Sequence, residues 1–226
     1  MMHREIKMLT YDEIIKDEDI RTYITKADAN LEVMGYTEHS FAHVCTVAEK
    51  AGYILETLGY DERMVEIAKI AGFLHDIGNI VNRDDHHQTG AVLAFNLLTQ
   101  RGMSPTEIAY VVAAIGNHNE GTAVPVDPVA AAIIIADKTD VRRSRVRNQD
   151  FNTFDIHDRV NYSVIKSELK INSAHTLIKL KLTVDTYYSS VMDFFEIFLT
   201  RMSLCRAAAE KLNMKFTLII NEQQLI

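Results

Sequence analysis

His75 and Asp76 close the apolar run Ile70-Ala-Gly-Phe-Leu-His-Asp. Burying an imidazole beside a carboxylate is costly unless something neutralises both, and a metal ion does so. Further donors follow the same pattern: His43 upstream, then His86, His118 and Asp137 downstream, each in or beside an apolar helical stretch. Four imidazoles and two carboxylates exceed the needs of one tetrahedral zinc, yet they suit two neighbouring ions whose shells are completed by water. On a helix, His75 and Asp76 would point about 100° apart, so each could bind a different flank of the same ion, or Asp76 could bridge two ions. Such a pair lowers the pKa of water and holds phosphoryl oxygens, which favours metal-assisted hydrolysis of a phosphate ester.

The elements that must position these donors are mostly helical. Residues 17–34 read as one helix ending near Gly35, and residues 40–58 carry Val44, Val47, Ala48, Ala51, Ile54, Leu55 and Leu58 at helical spacing before Gly59. Asp61 is placed to cap a helix over 62–76 whose end is apolar enough for the centre of a bundle. A loop over 78–85 and a helix over 90–101 follow. Ser104-Pro-Thr-Glu107 is a helix start with proline at the first position, and Asp127-Pro128 begins the helix bearing Asp137. After residue 148 the pattern changes to period two, predicting strands over 160–171 and 175–184 turned at Asn172-Ser173, a helix over 189–212 and a strand over 215–220. The expected organisation is a helical domain over 1–148 and a small α+β unit over 149–226. The terminal strand could equally pair within the chain or across a homodimer.

Composition narrows the function classes. The chain has 226 residues, 47% of them apolar, enough for one sizeable core, and a formal charge of -7 argues against general nucleic-acid binding. Its two cysteines, Cys45 and Cys205, lack CxxC spacing, which fits a reduced, cytoplasmic setting. No apolar run approaches the roughly 20 residues of a membrane-spanning helix.

The order His43, His75-Asp76, Asp137 resembles the HD superfamily of metal-dependent phosphohydrolases. Leu74-His-Asp-Ile-Gly78 is similar to its signature doublet, and Asp85-His86-His-Gln-Thr-Gly90 to its His-x3-Gly element. Gly116-Asn-His118-Asn-Glu120 resembles its His-His-Glu segment and Ile135-Ala-Asp137-Lys its closing Ala-Asp element. The likeness spans residues 35–147, and the whole chain is similar to stand-alone bacterial HD proteins of unassigned substrate. The resemblance implies a mainly α fold, an HD-type helical bundle followed by the α+β unit. It also implies a core of His43, His75, Asp76 and Asp137, extended to two ions by His86 and His118. Two divalent ions are expected, of Fe, Mn, Zn, Ni or Co, with Mg admissible. Asn119 stands where the cyclic-dinucleotide phosphodiesterase branch has a second histidine, and that branch's Gly-Tyr-Pro element is missing. The (p)ppGpp hydrolase branch normally lacks the two additional histidines.

The expected activity is hydrolysis of a phosphate ester of a nucleotide or other small phosphorylated metabolite, by attack of a metal-bound hydroxide, with His75 and Asp76 counted among the catalytic residues. Glu120 and Asp140 are placed to orient water beside the ions. Arg143 and Arg147 in the cluster Arg142-Arg-Ser-Arg-Val-Arg147 would share one helical face four residues apart and grip the phosphate, with Lys138 a further candidate. His39 rivals His43 and His87 rivals His86, while His3, His157, His175 and Cys45 fall outside the set. Two alternatives stand beside the hydrolase: an HD-type di-iron oxygenase, and a non-catalytic metal-binding signalling module.

Overall fold

A computed structural model describes residues 6–225; His3 lies outside them. Helix starts follow side-chain caps. After a short α1 (Tyr11–Ile14), α2 (Glu18–Val33) is capped by Asp17 and α3 (Phe41–Thr57) by Ser40. Asp61 caps α4 (Glu62–Leu74), whose Met64 N–H it accepts at 2.8 Å. Beyond α5 (His86–Gln100), Ser104 caps α6 (Pro105–Gly116) and Asp127 caps α7 (Pro128–Lys138), both with proline in the first turn. In each case a carboxylate or hydroxyl accepts one of the N–H groups that a helix leaves unpaired. Gly35 and Gly59 stop α2 and α3 with φ of 82° and 81°, a conformation that costs glycine nothing.

α7 is the axis of the bundle. Residues 129–136 are all buried, and α3, α4, α6 and a later helix over Val191–Lys211 pack around them. An apolar circumference of this kind marks a central helix. The mean path is mainly α, with a small sheet at the C-terminal end: α8 (Ile156–Ser163), β1 (Val164–Ile171), β2 (Leu177–Val184), α9 (Val191–Lys211), β3 (Lys215–Ile220) and β4 (Gln223–Gln224). β1 and β2 form an antiparallel hairpin, with Leu169 opposite Leu180, and β2 runs parallel to β3 through α9. Ile178, Leu180, Leu182 and Val184 of β2 face the core at every second position. The strand that the sequence left open to pairing across a dimer pairs within its own chain. Among the described residues no helix is long and apolar enough to cross a membrane.

Four departures from the sequence reading concern the site. The helix expected to reach Asp76 stops at Leu74; His75 caps it and a 3-10 turn, Ile77–Ile80, begins after Asp76. The cause is the approach of α5, since a Cβ on Gly78 would lie 1.9 Å from the His86 carbonyl oxygen. α5 itself begins at His86, earlier than expected, behind Asp85 in the left-handed region at φ 55°. The segment 160–163 is the end of helix α8, which Asp155 caps by accepting from the Asp158 N–H at 2.7 Å, and the strand begins only at Val164. The arginine cluster is not helical either: α7 ends at Lys138, leaving only a single 3-10 turn over Arg143–Arg145.

Candidate metal centre and its cleft

The end of α4, the start of α5, the end of α6 and the end of α7 converge on the side of α3 that carries His43. All four histidines are buried: His43 and His75 at 0% exposure, His118 at 1% and His86 at 3%. Each has its Nδ1 committed. His75 Nδ1 donates to Gly72 O at 2.7 Å, His86 Nδ1 to Arg83 O at 2.9 Å and His118 Nδ1 to Ile115 O at 2.6 Å. His43 Nδ1 donates to Asp140 Oδ2 at 2.8 Å. Carbonyl and carboxylate oxygens only accept, so each Nδ1 carries a proton and each Nε2 turns inward. This is how metal-binding histidines are oriented by groups behind them.

Asp76 lies between two pairs of these rings. Its Oδ2 is 3.2 Å from His75 Nε2 and 3.6 Å from His43 Nε2, while its Oδ1 is 3.4 Å from His86 Nε2 and 3.8 Å from His118 Nε2. Asn79 fixes the carboxylate by donating Nδ2 to Oδ1 at 3.0 Å. Asp137 Oδ1 reaches His43 Nε2 at 3.4 Å and His75 Nε2 at 3.9 Å. His43, His75 and Asp76 form one group of donors, Asp76, His86 and His118 another, and His75, His118 and Asp137 a third, with ligand atoms within 4.8 Å of one another in each.

Two observations test whether a metal suits these residues. The buried Nε2 atoms of His43 and His75 have no hydrogen-bond partner, an expensive omission for a polar atom. His86 Nε2 and His118 Nε2 face each other at 3.2 Å although both Nδ1 atoms are already donors, so two lone pairs meet. A cation resolves both conflicts, and the donor set of imidazole and carboxylate suits Zn, Mn, Fe, Ni or Co. The residues fit the group.

Electrostatics agree. Burial pushes His86 down to about 3 against the pull of Asp76, so its ring is neutral and ready to donate. Burial likewise lowers His118. Asp76 and Asp137 are held well below the usual carboxylate range: burial opposes this, but the nearby His75, His43, His118 and Lys138 overcome it. His43 is depressed by burial and by Arg145, yet Asp137, Asp140 and Asp76 raise it to about 9.

The donors open on one side into a cleft of about 310 Å³. Asp76, His86, His118 and Asp137 form its floor, and Arg83, Lys138, Arg145 and Arg201 bring four cations to its walls. Tyr36 joins them, with the Arg83 guanidinium 5.4 Å from its ring centre, and Asp155, His157, Asp158 and Asn161 line the opposite end from α8 and its cap.

The structure brings His43, His75, Asp76, His86, His118 and Asp137 together, with Lys138 and Glu120 on the cleft wall. Asp140 lies behind His43, facing away from the cleft, where it accepts from His43 Nδ1 and pairs with Arg142 at 3.2 Å. Arg143 and Arg147 are not brought in. Arg143 stacks over Tyr162 at 4.4 Å and donates to the Tyr162 carbonyl, and Arg147 pairs with Asp28. Without a helix, the residues of 142–147 fan out, and Arg145, 5% exposed, is the one that turns into the site. His39 lies beside the donors, its Nε2 3.9 Å from Asp76 Oδ2, and His87 points to Thr122 at 3.2 Å. Sequence reasoning missed Arg83, Arg145 and Arg201. Arg83 had one signal, a cation three residues before His86; Arg201 had none.

A buried histidine and aspartate cluster that could hold metal, set inside a helical bundle, is the arrangement of an HD-type domain. The HD domain family model matches residues 40–142. An uncharacterized protein of Methanocaldococcus jannaschii is 30% identical, with 73% of this chain and 72% of that protein covered. The chain belongs to the HD domain family, whose members are generally hydrolases. A crystal structure of a predicted HD superfamily hydrolase from an uncultured Thermotogales bacterium is 25% identical with a TM-score of 0.43, covering 55% of this chain and 67% of that one.

Proposed function

We propose that the protein is a metal-dependent phosphohydrolase acting on a small phosphorylated metabolite, with two divalent ions that would be held by the donors around Asp76. The observation that carries this reading is the convergence of Arg83, Lys138, Arg145 and Arg201 on the cleft whose floor is the donor cluster. Lys138 and Arg201 lie against Asp137 and Glu120, and Arg83 and Arg145 lie within 4.0 Å of Asp76 and Asp140; phosphoryl oxygens are the ligand chemistry that such a converging set of cations takes. The same argument ranks an oxygenase lower, and an open cleft beside the donors ranks a purely structural metal lower still.

The ions would be held by His43, His75, Asp76 and Asp137 on one side and by Asp76, His86 and His118 on the other. When bound they supply an acidified water and polarise the phosphoryl group. The chain's own groups do the rest. Asp140 holds His43 by its Nδ1 proton, Asn79 holds the Asp76 carboxylate, and Lys138, 2.6 Å from Asp137 Oδ2, couples the floor to the cationic wall. Arg145, anchored by donating to Asp140 O and Glu38 O at 3.0 and 2.9 Å, presents a charge that cannot swing away. Position and preset charge account for most of the catalysis of phosphoryl transfer.

The test is elemental analysis of protein purified without chelator, followed by phosphate release from a panel of phosphorylated metabolites. Two ions per chain and release that stops with chelator are expected. Iron with oxygen consumption and no phosphate release would replace the reading by the oxygenase.

A further inference from the structure

The four cations of the cleft are not equally committed. Arg145 is fixed by backbone carbonyls, and Arg83 leans on Asn79 Oδ1 at 3.3 Å. Lys138 is held by Asp137 Oδ2 at 2.6 Å, and it has a second acid in common with Arg201. Glu120 Oε1 forms an ion pair with Arg201 Nε and lies 3.9 Å from Lys138 Nζ. A single carboxylate oxygen therefore stands between two cations on the wall above the donors, where the oxygen of an incoming anion would also stand. Arg201 comes from α9, outside the residues matched by the family model, with its guanidinium 4.6 Å over the Phe198 ring. Glu120 comes from the connection between α6 and α7, is 30% exposed, and its neighbours Gly121 and Thr122 are at the surface, so the carboxylate has a path out to solvent.

We propose that Arg201 and Lys138 form the seat for a phosphate dianion, and that Glu120 is an internal carboxylate filling that seat until the substrate displaces it. This deepens the hydrolase reading and rests on it for the substrate's chemistry. The exchange selects by charge. A monoester at minus two replaces a carboxylate at minus one and gains attraction to both cations. A diester at minus one gains none and must still move the loop. The seat thus favours phosphomonoesters over diesters, through a residue that the C-terminal unit contributes.

The experiment is calorimetric binding of methyl phosphate and dimethyl phosphate to the full-length protein and to Arg201→Gln, Arg201→Lys and Glu120→Gln. In the parent protein methyl phosphate should bind at least about tenfold more tightly than dimethyl phosphate, the scale of one charge-assisted hydrogen-bonded pair. Arg201→Gln should bring the two ligands to similar affinity, Arg201→Lys should keep part of the difference, and Glu120→Gln should tighten methyl phosphate about tenfold. Equal binding of the two esters by the parent, or no change in Glu120→Gln, overturns the seat. Turnover separates the two levels. Binding as expected with no phosphoester hydrolysed strikes the hydrolase reading and leaves the seat, whereas hydrolysis with an unchanged ester preference in Arg201→Gln strikes the seat alone.

Discussion

Gly72→Ala changes no metal ligand, yet it should weaken metal binding. Gly72 lies in α4 where that helix crosses α3, and a Cβ there would sit 2.7 Å from Ala48 Cα, 2.9 Å from Ala48 N and 3.1 Å from Val47 C. The obstacles are backbone atoms, so no rotamer change relieves the clash. Carbon atoms rest at about 3.5–4.0 Å, so α3 and α4 must part by about 1 Å. Overpacking of this kind costs about 1–3 kcal/mol, while the helix gains about 1 kcal/mol on replacing glycine by alanine, leaving a net loss of about 0–2 kcal/mol. The site is more demanding than the core. His43 rides on α3 and His75 caps α4, and metal–ligand distances tolerate only about 0.2 Å. Parting the helices by about 1 Å should therefore lower metal affinity by about tenfold to a hundredfold, the range seen when support around a ligand is lost. Denaturant unfolding in chelator gives the stability change, and competition with a metal-sensitive dye gives the affinity. A variant that binds metal as tightly as the parent would refute the claim that this contact sets the spacing of the two ligands.

Asp76→Ala removes the carboxylate that faces all four rings, and elemental analysis should find it without metal and without turnover; full activity would sink the assignment. His118→Ala should leave the group of His43, His75, Asp76 and Asp137 intact and lower the content from two ions to one, read by the same analysis. The metal-free protein should bind metal more tightly as pH rises towards 9. His43 is raised to about 9 by Asp137, Asp140 and Asp76, and a proton on Nε2 competes with the ion for one lone pair. The same raised value means that the stability contributed by His43 in the metal-free protein is complete below its ordinary range near 6.5 and is lost as pH climbs through 9. Proton release on metal binding, measured by calorimetry in buffers of different ionisation enthalpy, checks the first statement; binding independent of pH over this interval would contradict it.

Much of the bundle could be read from single residues because helix starts are local chemistry. Asp17, Ser40, Asp61, Ser104 and Asp127 each accept from an N–H two or three residues on, whatever the rest of the chain does. The histidine and aspartate donors were legible for a similar reason, since a buried titratable group in an apolar run needs a partner. What escaped was set by contacts distant in sequence. After Leu74 the chain turns where α5 passes over Gly78, and the path of 142–147, with its 3-10 turn, is tied to distant chain by Arg145 donating to Glu38 O. The end of α8, residues 160–163, was taken as strand because the short, polar helix carries no long apolar period, and its cap at Asp155 went unread. Arg201 is one cation on one face of α9, and only the folded chain puts it across from Lys138.

The burial of α7 has a bearing on how the protein is made. All the metal donors precede residue 138, but α9, which covers one flank of α7, is completed only at Lys211. A chain leaving the ribosome therefore exposes its whole donor set before it can close its central helix, and the apolar residues 129–136 stay open to water and to chaperones in that interval.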